Sequence, residues 1–503
     1  MLLISPQRNR KHQLGAISAY VPLNVPFGIG FIAGYLLKNG KHVMVCDEEV
    51  TPFDEDVLGQ YIKSAEPPYI FGISCLTPNI GRGYELAKRL REGYPHSTII
   101  FGGIHPTVMP DEVLSNSAID IVVRNEGENT AVSLYERLKR GEDFRDIKGI
   151  SYRDGDKVVH NRLCEPVDMN TLPVFPYHLF DKHKSKYNFG FLSSSRGCPF
   201  ECIFCSQRSI TGRSYRFLPT DRTIETLGLL INKYKQKSVV FSDDNFVVHK
   251  KRVIDLCGAI IENKFNEKAS FMCQMRGDSV NDEVLGYLRR ANFTGISFGV
   301  ETASERLMDI IKKDESVQDN IDGIRLAKKH GFSVSATFIF GLPTETGEER
   351  RQAYRLAKEL DIDYVRFNNA TPYPGTELYD IAKKEGRLYV DKDWGNLNAC
   401  GTLVGGASKR LAYIPTTCTE KELMSEVFWY NIGYSLRPKK VLKMLFDKTT
   451  DTAGWIAFPE KWYLKKSEWA NFLKLVYEVI TQIIRMSIYY IQYKLSPIAG
   501  KNR

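Results

Sequence analysis

No run in this sequence reaches the roughly 18 consecutive apolar residues that a membrane-spanning helix requires, and no internal repeat or low-complexity tract occurs along it. The few apolar residues at the start, Leu2, Leu3 and Ile4, precede Arg8, Arg10 and Lys11. That is the reverse of a secretory signal, so a cytoplasmic protein is expected. Cysteine is sparse: ten thiols in 503 residues, mostly dispersed, exclude a small disulfide scaffold and suit a reducing compartment.

What is present is core-forming material. Apolar residues make up 43% of the chain, charged residues 26% and aromatics 12%, which excludes disorder. At roughly 150 residues per domain, about three domains are expected. The net charge is +9, and residues 437–503 hold 13 Lys and Arg against 5 Asp and Glu, nearly the whole excess. Charge confined to a tail points to a local anionic partner such as phospholipid and away from nucleic acid.

Three cysteines are not dispersed. Cys198, Cys202 and Cys205 stand in Ser195-Arg-Gly-Cys-Pro-Phe-Glu-Cys-Ile-Phe-Cys205, with three and then two residues between them. Structural zinc wants a fourth ligand, and none follows until His249, so zinc is the weaker reading. An iron-sulfur cube suits three close thiolates, because the iron left without a protein ligand is open to a small molecule. The bland alternative is a buried turn in which the pattern arose by chance.

Apolar runs near 190–195, 237–242, 269–275, 294–300, 333–340 and 363–369 recur at helix-sized intervals and predict six βα units. Polar residues follow these strands: Asp243-Asp244-Asn245, Arg276 with Asp278, Gly299-Val300-Glu301-Thr302, and Gly341-Leu342-Pro343. Barrels of this kind place their chemistry at those ends, although strand-end capping and salt bridges would use the same residue types.

With Phe204 before its last thiol, the cysteine segment resembles the cluster loop of the radical SAM enzymes. The resemblance implies a 4Fe-4S cluster on Cys198, Cys202 and Cys205, with S-adenosylmethionine chelating the open iron. The barrel-mouth segments, taken in order, resemble the subgroup that carries an N-terminal cobalamin-binding domain. Within that resemblance Arg276 and Glu301 match contacts to the ribose or carboxylate of S-adenosylmethionine, and Asp243, Asp244 and Asn245 match a strand-end motif near the cofactors.

The first 150 residues alternate strand-like segments (Leu2–Ser5, His42–Cys46, Tyr69–Ser74, Thr98–Phe101, Ile119–Val123) with helix-like ones. Their largely continuous apolar strands predict a doubly wound parallel sheet. Ligands bind such sheets at the C-terminal strand ends, which here carry Ser74 and Thr77, Gly102-Gly103-Ile-His105 and Asn125-Glu126-Gly127-Glu128. A glycine pair lets a bulky flat ligand lie on the backbone. Order and spacing resemble a cobalamin-binding domain, which implies Ser74, Thr77, Gly102, Gly103 and Glu126 as cofactor contacts. The Asp-x-His-x-x-Gly motif of many such domains is missing, so the resemblance is to members that bind cobalt with no protein histidine below it. His105 reads otherwise as a loop residue against the next proline.

The expected fold is α/β: a cobalamin-binding-like domain over 1–147, a linker with an Asp-Gly hairpin over 148–185, a (βα)6 radical SAM core over 186–400, and a mostly helical region with a basic amphipathic tail over 401–503. From Asn471 to Leu495 a helical wheel gathers Lys474, Glu478, Thr481, Gln482, Arg485 and Gln492 in one stripe, the rest being apolar. With Trp455, Trp462 and Trp469 upstream among lysines, the tail suggests an in-plane contact at the inner membrane face; a buried or subunit-contact helix is the other reading.

The resemblance implies reductive cleavage of S-adenosylmethionine to a 5′-deoxyadenosyl radical and modification of an unactivated carbon, with methyl transfer expected first. A small-molecule or lipid-like substrate and a reductant such as flavodoxin or ferredoxin follow. Oxidative cyclisation without methyl transfer is the alternative within the subgroup, and a non-catalytic cobalamin or redox sensor the alternative outside it.

Overall fold

A computed structural model describes residues 1–8, 10, 18, 19, 21, 23–392, 394–399, 410–438, 440 and 466–494. Trp455, Trp462, Cys400 and most of the basic tail lie outside the described residues.

The first sheet takes its five core strands from the apolar runs near the start of the chain: β1 (Leu2–Ser5), β2 (Met44–Asp47), β3 (Ile70–Ser74), β4 (Thr98–Gly102) and β5 (Ile121–Val123). They pair in parallel in the order β2-β1-β3-β4-β5. Successive strand residues point to opposite faces. Leu2, Ile4, Phe71, Ile73, Ile99 and Phe101 meet one group of helices, among them α2 (Glu55–Ser64) and α3 (Ile80–Gly93). Leu3, Ile70 and Ile100 meet α1 (Phe27–Lys38) and α5 (Glu128–Arg140) on the other face. Both faces are covered, so the strands can be apolar throughout.

The Asp-Gly hairpin assigned to the linker belongs to this sheet. Its strands β6 (Ile150–Asp154) and β7 (Lys157–His160) add antiparallel to β5, with Val122 opposite Ser151. The buried face of Ile150 and Tyr152 draws it there. The actual connector is the aromatic run that follows, in which Phe175, Tyr177, Phe180, Tyr187 and Phe189 pack edge-to-face and tilted on one another.

The second sheet contains β8 (Phe191–Leu192), β11 (Ser238–Phe241), β12 (Ser270–Met275), β13 (Phe293–Glu301), β14 (Ser333–Phe340) and β15 (Tyr364–Asn369), all parallel and hydrogen-bonded in chain order. Helices connect them, giving an open (βα)6 barrel. Between β8 and β11 the two-residue strands β9 (Ser195–Arg196) and β10 (Arg216–Phe217) pair antiparallel.

The C-terminal helix α7 (Glu420–Ser435) packs on β15 and carries Asn431, whose amide exchanges hydrogen bonds with the Phe367 backbone. Arg350 is fully buried and reaches Glu422 at 3.0 Å and Glu426, tying α7 to the barrel. Against α7 lies the long helix α8 (Lys466–Lys494). Gln482, in the polar stripe, is buried beside Met486, 1% exposed, and Gln492 accepts a hydrogen bond from Lys421 of α7. Lys474, Thr481 and Gln492 of the stripe are exposed, and beside them Leu473, Tyr477, Ile480, Ile484, Ile488 and Ile491 form one exposed apolar row along the outer face. Among the described residues no helix is long and apolar enough to cross a membrane.

Candidate active site

The cysteine loop leaves the barrel at β9 and returns at β10, with Arg196 opposite Arg216. Gly197 makes the exit possible: its φ is +86°, and a Cβ there would sit 2.0 Å from the Ser214 carbonyl oxygen. Ile203 anchors the middle, buried, donating from its N–H to the Ile311 carbonyl and accepting from Leu378 N–H. Cys198, Cys202 and Cys205 are half-buried and in no disulfide.

Burial raises all three thiols, that of Cys205 to about 12, and neighbouring thiols add to the rise at Cys202 and Cys205. Lys313 and Arg276 work in the other direction on Cys198 and Cys202, so the loop faces fixed positive charge, as an anionic cluster would require. Among the described residues no three metal-ligating side chains close into one group; the thiols are neighbours on one loop.

Strand ends supply the rest of the mouth. Glu301 ends β13 with φ +64° and curls back over Gly299, where a Cβ would lie 2.4 Å from its carboxylate. Its Oε1 lies 3.4 Å from Lys313 Nζ, which is also 3.7 Å from Glu315. Burial pushes the Glu301 carboxyl up, with Lys313 opposing; burial lowers Lys313, but Glu301, Cys202 and Glu315 together hold it above its ordinary value. Lys313 gave no motif signal; only the fold brings it here, 12 residues after Glu301.

Arg276 stacks over the Phe200 ring of the cysteine loop at 3.5 Å and donates to Asp278 and to the carbonyls of Lys313 and Asp314. It holds the Lys313–Glu315 segment against the loop. Asp243 is entirely enclosed: Oδ1 accepts from the N–H groups of Ser194 and Ser195 at 2.6 and 2.8 Å, Oδ2 from the Ser194 hydroxyl, with Arg252 at 3.7 Å. It therefore binds the start of the cysteine segment to β11. The next residue, Asp244, accepts from Gln207 and raises Cys198 and Cys205. Asn245 is buried with its amide nitrogen unpartnered, a donor available to a ligand.

In the first domain Ser74 ends β3 with Thr77 just beyond it, and Gly102 ends β4 with Gly103 after it. Gly103 has φ +98°, and a Cβ on it would meet the Cys75 carbonyl oxygen at 2.6 Å, whereas one on Gly102 would find nothing nearer than 3.8 Å. Gly102 therefore has room for a Cβ in ordinary contact with Val123, whereas Gly103 has none. His105 is buried in the short helix α4 (Ile104–Val108), paired with Thr77 Oγ1 at 3.3 Å and Glu112 at 3.1 Å, its ring edge-on to Trp394. Glu126, expected to face a cofactor, has its carboxylate taken by Arg216, by Arg196 at 3.4 Å and by the Val167 N–H at 3.0 Å.

Comparison with known proteins agrees with this geometry. The model of the radical SAM superfamily matches residues 192–357, and that of the B12 binding domain residues 18–135. The chain is 31% identical over 427 residues to an uncharacterized methyltransferase of Pyrococcus horikoshii, covering 84% of this chain and 90% of that protein. It is 27% identical over 376 residues to the anaerobic magnesium-protoporphyrin IX monomethyl ester cyclase of Cereibacter sphaeroides, covering 72% of this chain and 61% of that one. Its fold matches the radical S-adenosylmethionine methyltransferase TsrM of Kitasatospora setae, solved with cobalamin and a 4Fe-4S cluster, with a TM-score of 0.67 at 16% identity over 85% of this chain and 84% of that chain. Two domains matched in the same order, and a relative similar across nearly the whole of both sequences, lead to one conclusion: the chain belongs to the cobalamin-binding radical SAM enzymes, whose cofactors are a 4Fe-4S cluster, S-adenosylmethionine and cobalamin.

Proposed function

We propose that this enzyme methylates an unactivated carbon of a small-molecule or lipid-like substrate. The observation that carries the reading is the facing of the two strand-end mouths: the cysteine loop packs against the first domain, with Asn125 donating to the Ile210 carbonyl at 2.7 Å. When bound, the cluster supplies the electron that cleaves S-adenosylmethionine and cobalamin carries the methyl group.

The chain's own residues hold and screen these groups. Cys198, Cys202 and Cys205 are the proposed iron ligands. The Asn245 amide, Glu301 and Lys313 offer a donor, an acceptor and a cation to the polar end of S-adenosylmethionine, and Arg276 fixes the Lys313 segment. Ser74, Thr77, Gly102 and Gly103 form the proposed cradle for the corrinoid. In this reading no side chain need act as an acid or base.

The test is metal content and label transfer. Protein purified without oxygen from cobalamin-fed cells should hold about four iron and about one cobalt per chain, the content of one cube and one corrinoid. The isotope-labelled methyl of S-adenosylmethionine should then appear in product. Product without label would favour ring formation, a reading supported by the identity to the cyclase. Absence of deoxyadenosine after reduction with candidate substrates would favour a sensor. The electron donor we propose is a flavodoxin or ferredoxin. The exposed apolar row on α8 supports contact with an anionic membrane surface; flotation with anionic vesicles should fall on removing residues 437–503, and equal flotation would exclude it.

A further inference from the structure

We infer that a buried quartet, Glu126 and Glu128 with Arg196 and Arg216, is the device by which the first domain sets the closure of the cysteine loop; this rests on the proposal that the loop holds the cluster. The ladder that closes the loop is two residues long on each side, far too short to be stable alone. Both of its arginines leave the barrel and turn to the first domain. Arg196 reaches Glu128 at 2.6 Å and Glu126 at 3.4 Å, and its guanidinium lies 5.0 Å over the Phe31 ring. Arg216 pairs with Glu126 and donates to the Val167 carbonyl at 2.9 Å.

None of the four side chains is more than 21% exposed, so the charges are little screened by water. Arg196 is separated from Cys198 by Gly197 alone, which sits at φ +86° with the Ser214 carbonyl packed where a side chain would lie. A shift of Glu126 is thus passed through the ladder to the first thiol. Glu126 and Glu128 follow β5, on the side of the sheet where the corrinoid cradle is proposed. The quartet therefore fixes the spacing between the two cofactor sites. Its members are positioning residues: they act on the loop and touch no reacting atom.

Hydrogen exchange on the full chain tests this without any metal, with the electron paramagnetic resonance of the reduced cluster as a second readout. In Glu126→Gln/Glu128→Gln, protection of residues 197–215 should fall by at least about tenfold while β12 to β14 keep theirs, and the cluster signal should shift or broaden. Arg216→Lys, which keeps the charge, should fall between this variant and the wild type. Wild-type protection and an unchanged signal in the double variant would overturn the inference. If the double variant unfolds throughout, Arg216→Lys decides: wild-type values in both readouts reject the quartet's role. A wild-type protein that binds no iron would instead defeat the assignment of the cysteines, and exchange would still judge the quartet.

Discussion

Gly102 and Gly103 are adjacent, yet the structure assigns them different duties, and alanine at each separates the two. Gly103 has φ +98° and ψ −168°, a region that is essentially glycine's alone; occupying it with alanine costs of order 1–3 kcal/mol. Its Cβ would also press on two backbone atoms, the Cys75 oxygen at 2.6 Å and nitrogen at 3.0 Å, neither of which can swing aside, and such overpacking adds about 1–3 kcal/mol. The sum is about 4 kcal/mol, which in a domain of this size lowers Tm by roughly 10 °C. At Gly102 the nearest atom is the Val123 oxygen at 3.8 Å, an ordinary contact, so Gly102→Ala should melt within about 2 °C of the wild type. With this strand end as the proposed cradle, Gly102→Ala should still bind cobalamin more weakly. Calorimetry and an absorbance titration with cobalamin measure both. A Gly103→Ala protein that melts with the wild type would refute the strain argument, and a Gly102→Ala protein with undiminished uptake would refute the cradle.

Other perturbations follow from the mouth of the barrel and its far side. Cys202→Ala should keep the fold, since its thiol bonds nothing structural, and should lower iron from about four per chain to below one by elemental analysis. Lys313→Met leaves Glu301 without the cation it faces and Glu315 with Arg276 alone, a loss of about 3–5 kcal/mol; because a carboxylate so placed protonates in acid, the drop in Tm should be larger at pH 8 than at pH 5. Asp243→Ala removes the partner of buried Arg252 and the acceptor for two N–H groups, so thermal scans should show a loss of similar size and poor iron retention. Burial pushes the Glu345 carboxyl up to about 8 against the opposing charge of Arg350. A raised folded value means stability that is complete below the ordinary carboxyl range and lost as pH rises through 8. Glu345→Gln should therefore gain on the wild type between pH 5 and 9, and parallel Tm profiles would count against it.

Sequence legibility tracked the range of the interaction. Strands such as Ser333–Phe340 and Thr98–Gly102 announce themselves because an apolar run needs only its own composition to be recognised, and the thiol spacing at Cys198, Cys202 and Cys205 is local as well. Which neighbour of a motif faces the mouth is not local: Asp243 and Asp244 are alike as sequence, and only the turn after β11 makes the first the Ser194 anchor and sets the second toward the thiols. Glu126 pairs with Arg216 at a separation of 90 residues, beyond any periodicity argument. The tail helix is legible as a helix, but the side it hides is set by its packing on α7, another element.

The aromatic seam between the domains bears on how such enzymes can be recombined. Val25, Phe31 and Val50 from the first domain lie in one apolar cluster with Phe175, Tyr187, Phe189 and the barrel's own Leu192 and Ile203. The corrinoid half is consequently not an exchangeable cassette. A chimera that cuts after residue 147 strips half of that seam from each parent, and only crossovers that carry residues 23–31, 50 and 175–203 together would inherit matching surfaces.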